Sequence, residues 1–207
     1  MTQDMALLPG LDVSRETWGR LDRYESLLRK WNPAINLVSR STLDEIWTRH
    51  FVDSAQLLLC APDTARHWTD LGAGGGFPGL VIAILAQELR PDLSVTLVES
   101  DLRKCTFLRE VARQTETPVT VLAERAERLP PLHADIVSAR ALAPLRALVR
   151  LAERHLAPGG TALFLKGLNH EAELSDALET FRFTFQKRAS QTDPQAVILS
   201  IGDLARE

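Results

Sequence analysis

The stretch Arg66-His67-Trp68-Thr69-Asp70-Leu71-Gly72-Ala73-Gly74-Gly75-Gly76-Phe77-Pro78-Gly79 constrains this chain more than any other. A strand-like run ends at Leu71 and a glycine-dense turn follows. The turn opens into Leu80-Val81-Ile82-Ala83-Ile84-Leu85-Ala86, apolar enough for a buried helix. Glycine lacks Cβ, so such a turn adopts φ > 0 freely and lets a ligand touch the backbone. The helix start adds unpaired N–H groups and partial positive charge. A dinucleotide site would carry Gly-x-Gly-x-x-Gly; counted from Gly72, the third glycine of that pattern falls at 77, where the residue is Phe. Present instead is Asp70-x-Gly72-x-Gly74-x-Gly76. The plainer reading, a tight turn in an α/β sheet, is open to the glycines alone.

From 66 onward strand-like and helical patterns alternate. Strands are expected at 67–71, 94–99, 118–122, 134–138, 160–165, 182–188 and 196–201, and helices at 78–89, 102–115, 141–155 and 170–180. Alternation of this kind predicts a largely parallel sheet covered by helices on both faces. Only the turn-rich Ser190-Gln191-Thr192-Asp193-Pro194-Gln195 separates the last two strands, which therefore read as an antiparallel hairpin at the sheet edge. Ahead of the turn, 14–31 reads as an amphipathic helix capped by Ser14, with Trp18, Leu21, Leu28 and Trp31 at helical spacing. Trp31-Asn32-Pro33 should end it. A second helix is expected from Thr42, with Glu45 completing a capping box, to about Leu59. At 207 residues this makes one domain plus a small extension, divided at 1–62 and 63–207.

Composition excludes little else. No apolar run approaches the ~20 residues of a membrane span, and Met1-Thr2-Gln3-Asp4-Met5 lacks the basic start and apolar core of a signal peptide. Cys60 and Cys105 show no metal-ligand spacing, so no metal and a cytoplasmic setting are expected. The net charge of −3 carries no general basic excess, and residues 101–155, with ten Lys/Arg against seven Asp/Glu, carry only a slight one.

Three further stretches fall where the strand ends of such a sheet would meet a ligand. Glu99 ends Ser94-Val95-Thr96-Leu97-Val98, and an acid at the tip of the second strand accepts hydrogen bonds from ribose hydroxyls; the bland alternative is a solvated strand end. Ala123-Glu124-Arg125-Ala126-Glu127 follows the third strand, where a backbone N–H at 126 or 127 would read an adenine nitrogen; a charged loop is the alternative. Asp135-Ile136-Val137-Ser138-Ala139-Arg140 directs Arg140 at the crevice. No Asn/Asp-Pro-Pro-aromatic motif for an exocyclic amine follows it, and neither cysteine has the context of a nucleophile. Arg49 and Asp53 have the spacing of a surface i,i+4 ion pair.

The acid two residues before three alternating glycines resembles the first motif of class I S-adenosylmethionine-dependent methyltransferases, and the parallel sheet with its terminal hairpin is similar to their Rossmann-like, mostly parallel seven-stranded core, here with an N-terminal helical extension. A more specific likeness runs in order from about 31 to 167: Trp31-Asn32-x-x-x-Asn36-Leu37, Arg49-His50-x-x-Asp53-Ser54, Asp70-Leu71-Gly72-x-Gly74-x-Gly76-x-Pro78-Gly79, Ser138-Ala139-Arg140-Ala141 and Lys166-Gly167. Together these resemble the bacterial 16S ribosomal RNA guanine-N7 methyltransferase G family, also called glucose-inhibited division protein B. The resemblance implies methyl transfer from S-adenosylmethionine to N7 of guanine 527 of 16S rRNA, free or in a small-subunit particle; a monomer is expected. It implies cofactor contacts from Asp70, Gly72, Gly74, Gly76, Phe77, Glu99, Ala126, Glu127 and Arg140. Arg49, His50, Asp53 and Lys166 become candidates for positioning the substrate. N7 offers a lone pair and no proton to remove, so no residue is required as a base. A small-molecule methyltransferase on the same fold, or a non-catalytic RNA-binding assembly factor, are the alternatives.

Overall fold

The computed structural model describes residue 8 and residues 10–206; the reading of Met1–Met5 lies outside the described residues. Seven strands form one sheet: β1 (His67–Leu71), β2 (Ser94–Val98), β3 (Thr120–Leu122), β4 (Ala134–Arg140), β5 (Leu156–Lys166), β6 (Phe181–Ala189) and β7 (Val197–Arg206). Their order is β3-β2-β1-β4-β5-β7-β6, with β7 antiparallel to both its neighbours and every other pairing parallel. The helices are α1 (Arg15–Ile35), α2 (the single turn Asp53–Ala55), α3 (Gly79–Leu89), α4 (Leu102–Gln114), α5 (Leu145–His155) and α6 (His170–Leu178).

Period-two alternation sorts the strand residues onto two cores. Trp68, Leu97, Ile136, Leu163 and Ile198 join the buried cluster that contains residues of α1, α3 and α4. Leu71, Val98, Val137, Phe164 and Leu199 join the cluster of α5 and α6. Helices thus cover both faces. Leu21, Tyr24 and Leu28 of α1 belong to the same buried cluster as Leu80–Ala86 of α3. Ser14 caps α1, accepting from Thr17 N at 3.2 Å. Glu88 of α3 then receives Ser14 N at 3.0 Å and Thr17 Oγ1 at 2.6 Å, which fastens the start of α1 to the core.

Strand ends move by a few residues, β5 starting at 156 where 160 is expected and β7 running to 206 where 201 is expected, and three further departures bear on the site. First, α1 does not stop before Pro33 but runs through it to Ile35. The proline lies within the last turn, and Asn32 takes over the termination: its Oδ1 accepts from Leu37 N (2.7 Å) and Val38 N (2.9 Å), while Asn36 adopts φ 48° as the left-handed cap. Second, no regular helix runs from Thr42 to Leu59. A 3₁₀ turn (Arg40–Thr42) is followed by a π-helical turn (Trp47–Val52), α2 and another 3₁₀ turn (Leu58–Cys60). The capping box does not form, because the Thr42 hydroxyl bonds the Ser39 carbonyl and the ring of His50. Third, α5 begins at Leu145 behind Pro144, not at 141, leaving 141–144 as a loop at the carboxyl end of β4.

Candidate functional site

The chain builds β1, β2 and β3 outward in one direction, then places β4 on the other side of β1. Where the order reverses, the carboxyl ends of β1 and β4 leave a crevice, the usual ligand position in an open α/β sheet. A cavity of about 390 Å³ opens there, within the ~300–1,000 Å³ range of small-molecule sites. Gly72, Gly74 and Phe77 of the glycine turn line it, with Glu99, Ala126, Glu127 and Arg140 from the ends of β2, β3 and β4.

The turn needs its glycines for three different reasons. Gly72, Gly74 and Gly76 all have positive φ (67°, 55° and 96°). A Cβ on Gly74 would meet only the Gly72 carbonyl, at 3.6 Å, so this side of the turn is open to a ligand. A Cβ on Gly76 would run into the Tyr24 hydroxyl, which donates to the Gly75 carbonyl and holds the turn from behind. Gly79 has ordinary backbone angles, but a Cβ there would lie 2.7 Å from Asp70 Cβ and collide with Leu97. It is therefore Gly79 that lets α3 lie close against the strands, the packing job position 77 does not perform.

Both oxygens of Glu99 accept backbone N–H groups, Gly74 N at 2.9 Å and Asp101 N at 2.8 Å. Each keeps a lone pair directed elsewhere, so this carboxylate holds the turn and still has acceptor capacity for a vicinal diol. With the open Gly74 face and the adjacent 124–127 loop, these walls fit a nucleoside carrying an amino-acid tail.

Asp70 and Gly76 do not line the cavity. Asp70 is wholly buried; Oδ2 accepts from Gly79 N at 2.9 Å and Oδ1 from Ser138 Oγ at 2.7 Å. The Trp68 indole N–H completes the chain by donating to Ser138 Oγ at 2.8 Å. Burial pushes the Asp70 carboxyl from 3.8 up to about 7, against the lowering effect of those two hydrogen bonds. Asp70 thus anchors the first N–H of α3 to β1 and β4, behind the turn.

Arg49, His50 and Asp53 also stand outside the cavity, gathered around Arg140. Arg140 donates to the Arg49 carbonyl (2.8 Å), to Asp53 Oδ2 (3.3 Å) and to His50 Nδ1, and its guanidinium lies 5.2 Å from the centre of the Phe77 ring. The surface Arg49–Asp53 pair that their spacing allows does not form: Arg49 pairs with Asp193 at 3.0 Å, Asp53 with Arg140. The direction of the His50 bonds is fixed by its neighbours. Arg140 can only donate, so Nδ1 accepts; Nε2–H then donates to Thr42 Oγ1 (2.8 Å), whose own hydrogen goes to the Ser39 carbonyl (2.8 Å). Burial, then the charges of Arg140 and Arg49, push His50 from 6.5 down to about 3. The ring is a neutral strut with both nitrogens engaged.

Lys166, at the end of β5, lies away from the cavity wall. Its ammonium sits 2.5 Å from Glu173 and bonds the Ala143 carbonyl at 3.3 Å, and Glu173 caps α5 through Leu145 N at 2.6 Å. Beside the cavity, His155 Nε2 lies 2.9 Å from the Ala126 carbonyl and fixes the 126–128 turn. Among the contributors that the sequence reading overlooked, Tyr24 shares a helix face with ordinary core residues and His155 ends an amphipathic helix, so neither carried a local signal. The hairpin tip 190–195 reads as turn chemistry, yet it brings Thr192 and Asp193 onto Asp53 and Arg49.

Residues 18–196 match the family model described as GidB, rRNA small subunit methyltransferase G. A protein of that name from Rhodospirillum centenum is 54% identical over 193 residues, covering 93% of this chain and 87% of its own. Another from Ruegeria pomeroyi is 51% identical over 196 residues, covering 95% and 96%. In fold, the chain is similar to the ribosomal protein L11 methylase of Lactobacillus delbrueckii subsp. bulgaricus (TM-score 0.56, 18% identity, 77% of this chain and 79% of that one).

Proposed function

The chain belongs to the rRNA small subunit methyltransferase G family, and from that premise we propose that it methylates N7 of guanine 527 in 16S ribosomal RNA. S-adenosylmethionine is the methyl donor. When bound, it supplies a methyl group on a sulfonium: the N7 lone pair forms the new C–N bond, the C–S electron pair stays on sulfur, and no proton has to leave.

In this reading the chain's residues bind and align. Gly74 lets the ligand lie against backbone, Gly72 lines the cavity while its missing Cβ leaves room for Leu142, and Phe77 is an apolar wall beside them. Glu99 accepts the ribose hydroxyls, and the backbone at Ala126 and Glu127 reads the adenine edge. Asp70 and Gly76 act from behind, by fixing the start of α3 and admitting Tyr24. Arg140 is a cation held in one orientation by Asp53, His50 and the Arg49 carbonyl; Lys166 holds the 141–144 loop through Ala143. A mechanism without a general base follows from the acceptor, which has no proton to lose, and His50 is in keeping with it: its Nδ1 is occupied by Arg140 and its Nε2 by Thr42, so it has no lone pair free to take a proton. Alignment of reacting atoms is then the main source of rate, worth about 7–11 kcal/mol in favourable cases.

The working unit is proposed to be a monomer acting on RNA or a small-subunit particle in the cytoplasm, with 1–62 as a helical extension of a methyltransferase domain 63–207. Among the described residues no helix is long and apolar enough to cross a membrane. The test is chemical. Ribosomal RNA from cells with and without the gene is treated with borohydride and then aniline, which cuts at N7-methylguanosine. A cut at guanine 527 only when the gene is present is expected. Methylated product resistant to cleavage would overturn the N7 assignment.

A further inference from the structure

The 141–144 loop is where the structure departs from plain scaffold. Ala141 has φ +52°, a left-handed conformation that a residue with a Cβ rarely adopts. Strain of this kind persists only where the surroundings hold it, and here both ends are held. On one side Arg140 is tied to Asp53 and the Arg49 carbonyl. On the other, Lys166 grips the Ala143 carbonyl and Glu173 the Leu145 N–H.

The loop presents Leu142. Its side chain lies directly over the first glycine of the turn: a Cβ on Gly72 would meet Leu142 Cδ1 at 2.5 Å and Cγ at 3.1 Å. Leu142 lines the cavity and is 41% exposed. Among the described residues it is the one large apolar side chain that does both; Leu37 and Phe77 are buried in the same wall. An aliphatic group held out over a ligand cavity by a strained, doubly anchored loop is poorly explained as core packing.

We propose that Leu142 is the apolar platform for the target base, a substrate-positioning residue that excludes water from the acceptor nitrogen. The proposal rests on the purine-N7 reading above and adds the residue that meets the base. In water the acceptor lone pair is hydrogen-bonded and blunted; with the face of the base on an aliphatic wall that keeps water out, the lone pair is left to the methyl group. Leu142 offers no polar atom, and Arg140, next to it, already gives three of its five N–H donors to Arg49, Asp53 and His50, so the aliphatic face itself does not compete for the lone pair.

Two variants, Leu142→Ala and Leu142→Asn, test this beside the conservative Leu142→Met. Cofactor affinity is measured by calorimetry, and methyl transfer to 16S rRNA or small-subunit particles is followed at saturating cofactor. The expected result is cofactor affinity within about threefold of wild type, kcat/KM for RNA lowered tenfold or more by Ala and further by Asn, and recovery with Met. Unchanged RNA kinetics in the folded Ala variant would overturn the proposal. So would a loss confined to cofactor affinity, which would make Leu142 a cover for the cofactor. If the wild-type protein methylates RNA elsewhere than at a purine N7, the functional reading fails first, and the variants then report separately on whether Leu142 meets the base.

Discussion

The Thr192 hydroxyl donates a 2.7 Å hydrogen bond to Asp53, across 139 positions of sequence. It joins the tip of the β6–β7 hairpin to the carboxylate whose other oxygen holds Arg140 at 3.3 Å. Gln56 reinforces the joint from the same segment, donating to Asp53 at 2.9 Å and to Ser190 at 3.1 Å and accepting Gln191 N at 3.1 Å. The end of the chain and the segment before the first strand therefore meet on one cavity residue.

Thr192→Val keeps the shape and removes the donor. Loss of one hydrogen bond to a charged acceptor is expected to cost about 1.5–3 kcal/mol, seen as a lower urea midpoint, together with a several-fold weaker cofactor affinity as Arg140 loosens. Asp53→Asn should do the same. The double variant should lose less than the sum, because both act on one network. Strict additivity in both measurements would separate the hairpin from Arg140.

Asp70 should imprint a pH dependence on stability. Its folded value is raised to about 7 from 3.8, so between those pH values the native state holds a proton that the unfolded chain has released. Stability from this group is therefore full below pH 3.8 and falls as pH rises towards 7. Asp70→Asn, which cannot ionise, should flatten that part of the curve; the measurement is thermal midpoint against pH for both proteins. Parallel curves would show that the buried carboxyl does not titrate in this range.

His50 should act in the opposite direction over nearly the same interval. Its folded value is lowered to about 3 from 6.5, so as pH falls from 6.5 the unfolded chain takes up a proton that the native ring refuses, and stability drops. His50→Gln should remove this loss, so the variant's deficit relative to wild type narrows between pH 7 and 4. The same variant should leave no missing limb in the pH–rate profile of methyl transfer, because the ring takes no proton in the reaction. A rate limb near pH 6–7 that disappears with His50 would restore it as a base.

Gly79 and Gly74 should fail differently when replaced by Ala. At Gly79 the new Cβ meets Asp70 and Leu97, an overpacking expected to cost about 1–3 kcal/mol of folding stability. At Gly74 there is room, and the cost is the left-handed backbone, roughly 1–2 kcal/mol, plus crowding of the ligand face. Gly74→Ala should therefore lose more cofactor affinity than Gly79→Ala for the same loss of stability, read by calorimetry and urea unfolding. Equal losses of affinity would mean the Gly74 face is not where the ligand lies.

The amino-acid sequence by itself determined the elements that rest on local periodicity and turn chemistry. The expected span 67–71 is β1 to the residue, because a short strand-like run is bounded by a glycine turn; the Ser14 cap and the terminal hairpin follow from similarly local signals. It also placed Gly72, Glu99, Ala126 and Arg140 at strand ends, and parallel strands carry their carboxyl ends to one edge whatever the loops do. Tertiary structure decided what local chemistry leaves open. Pro33 stays helical because Asn32 and Asn36 terminate the helix beyond it. The helix expected at 42–59 breaks into irregular turns that place His50 and Asp53 on Arg140, an arrangement no i,i+4 rule encodes. Tyr24 reaches Gly75 across 51 positions and Thr192 reaches Asp53 across 139. Such contacts are set by which faces the two packed cores bring together, and only the folded chain, with its sheet order reversed between β1 and β4, puts them beside the cavity.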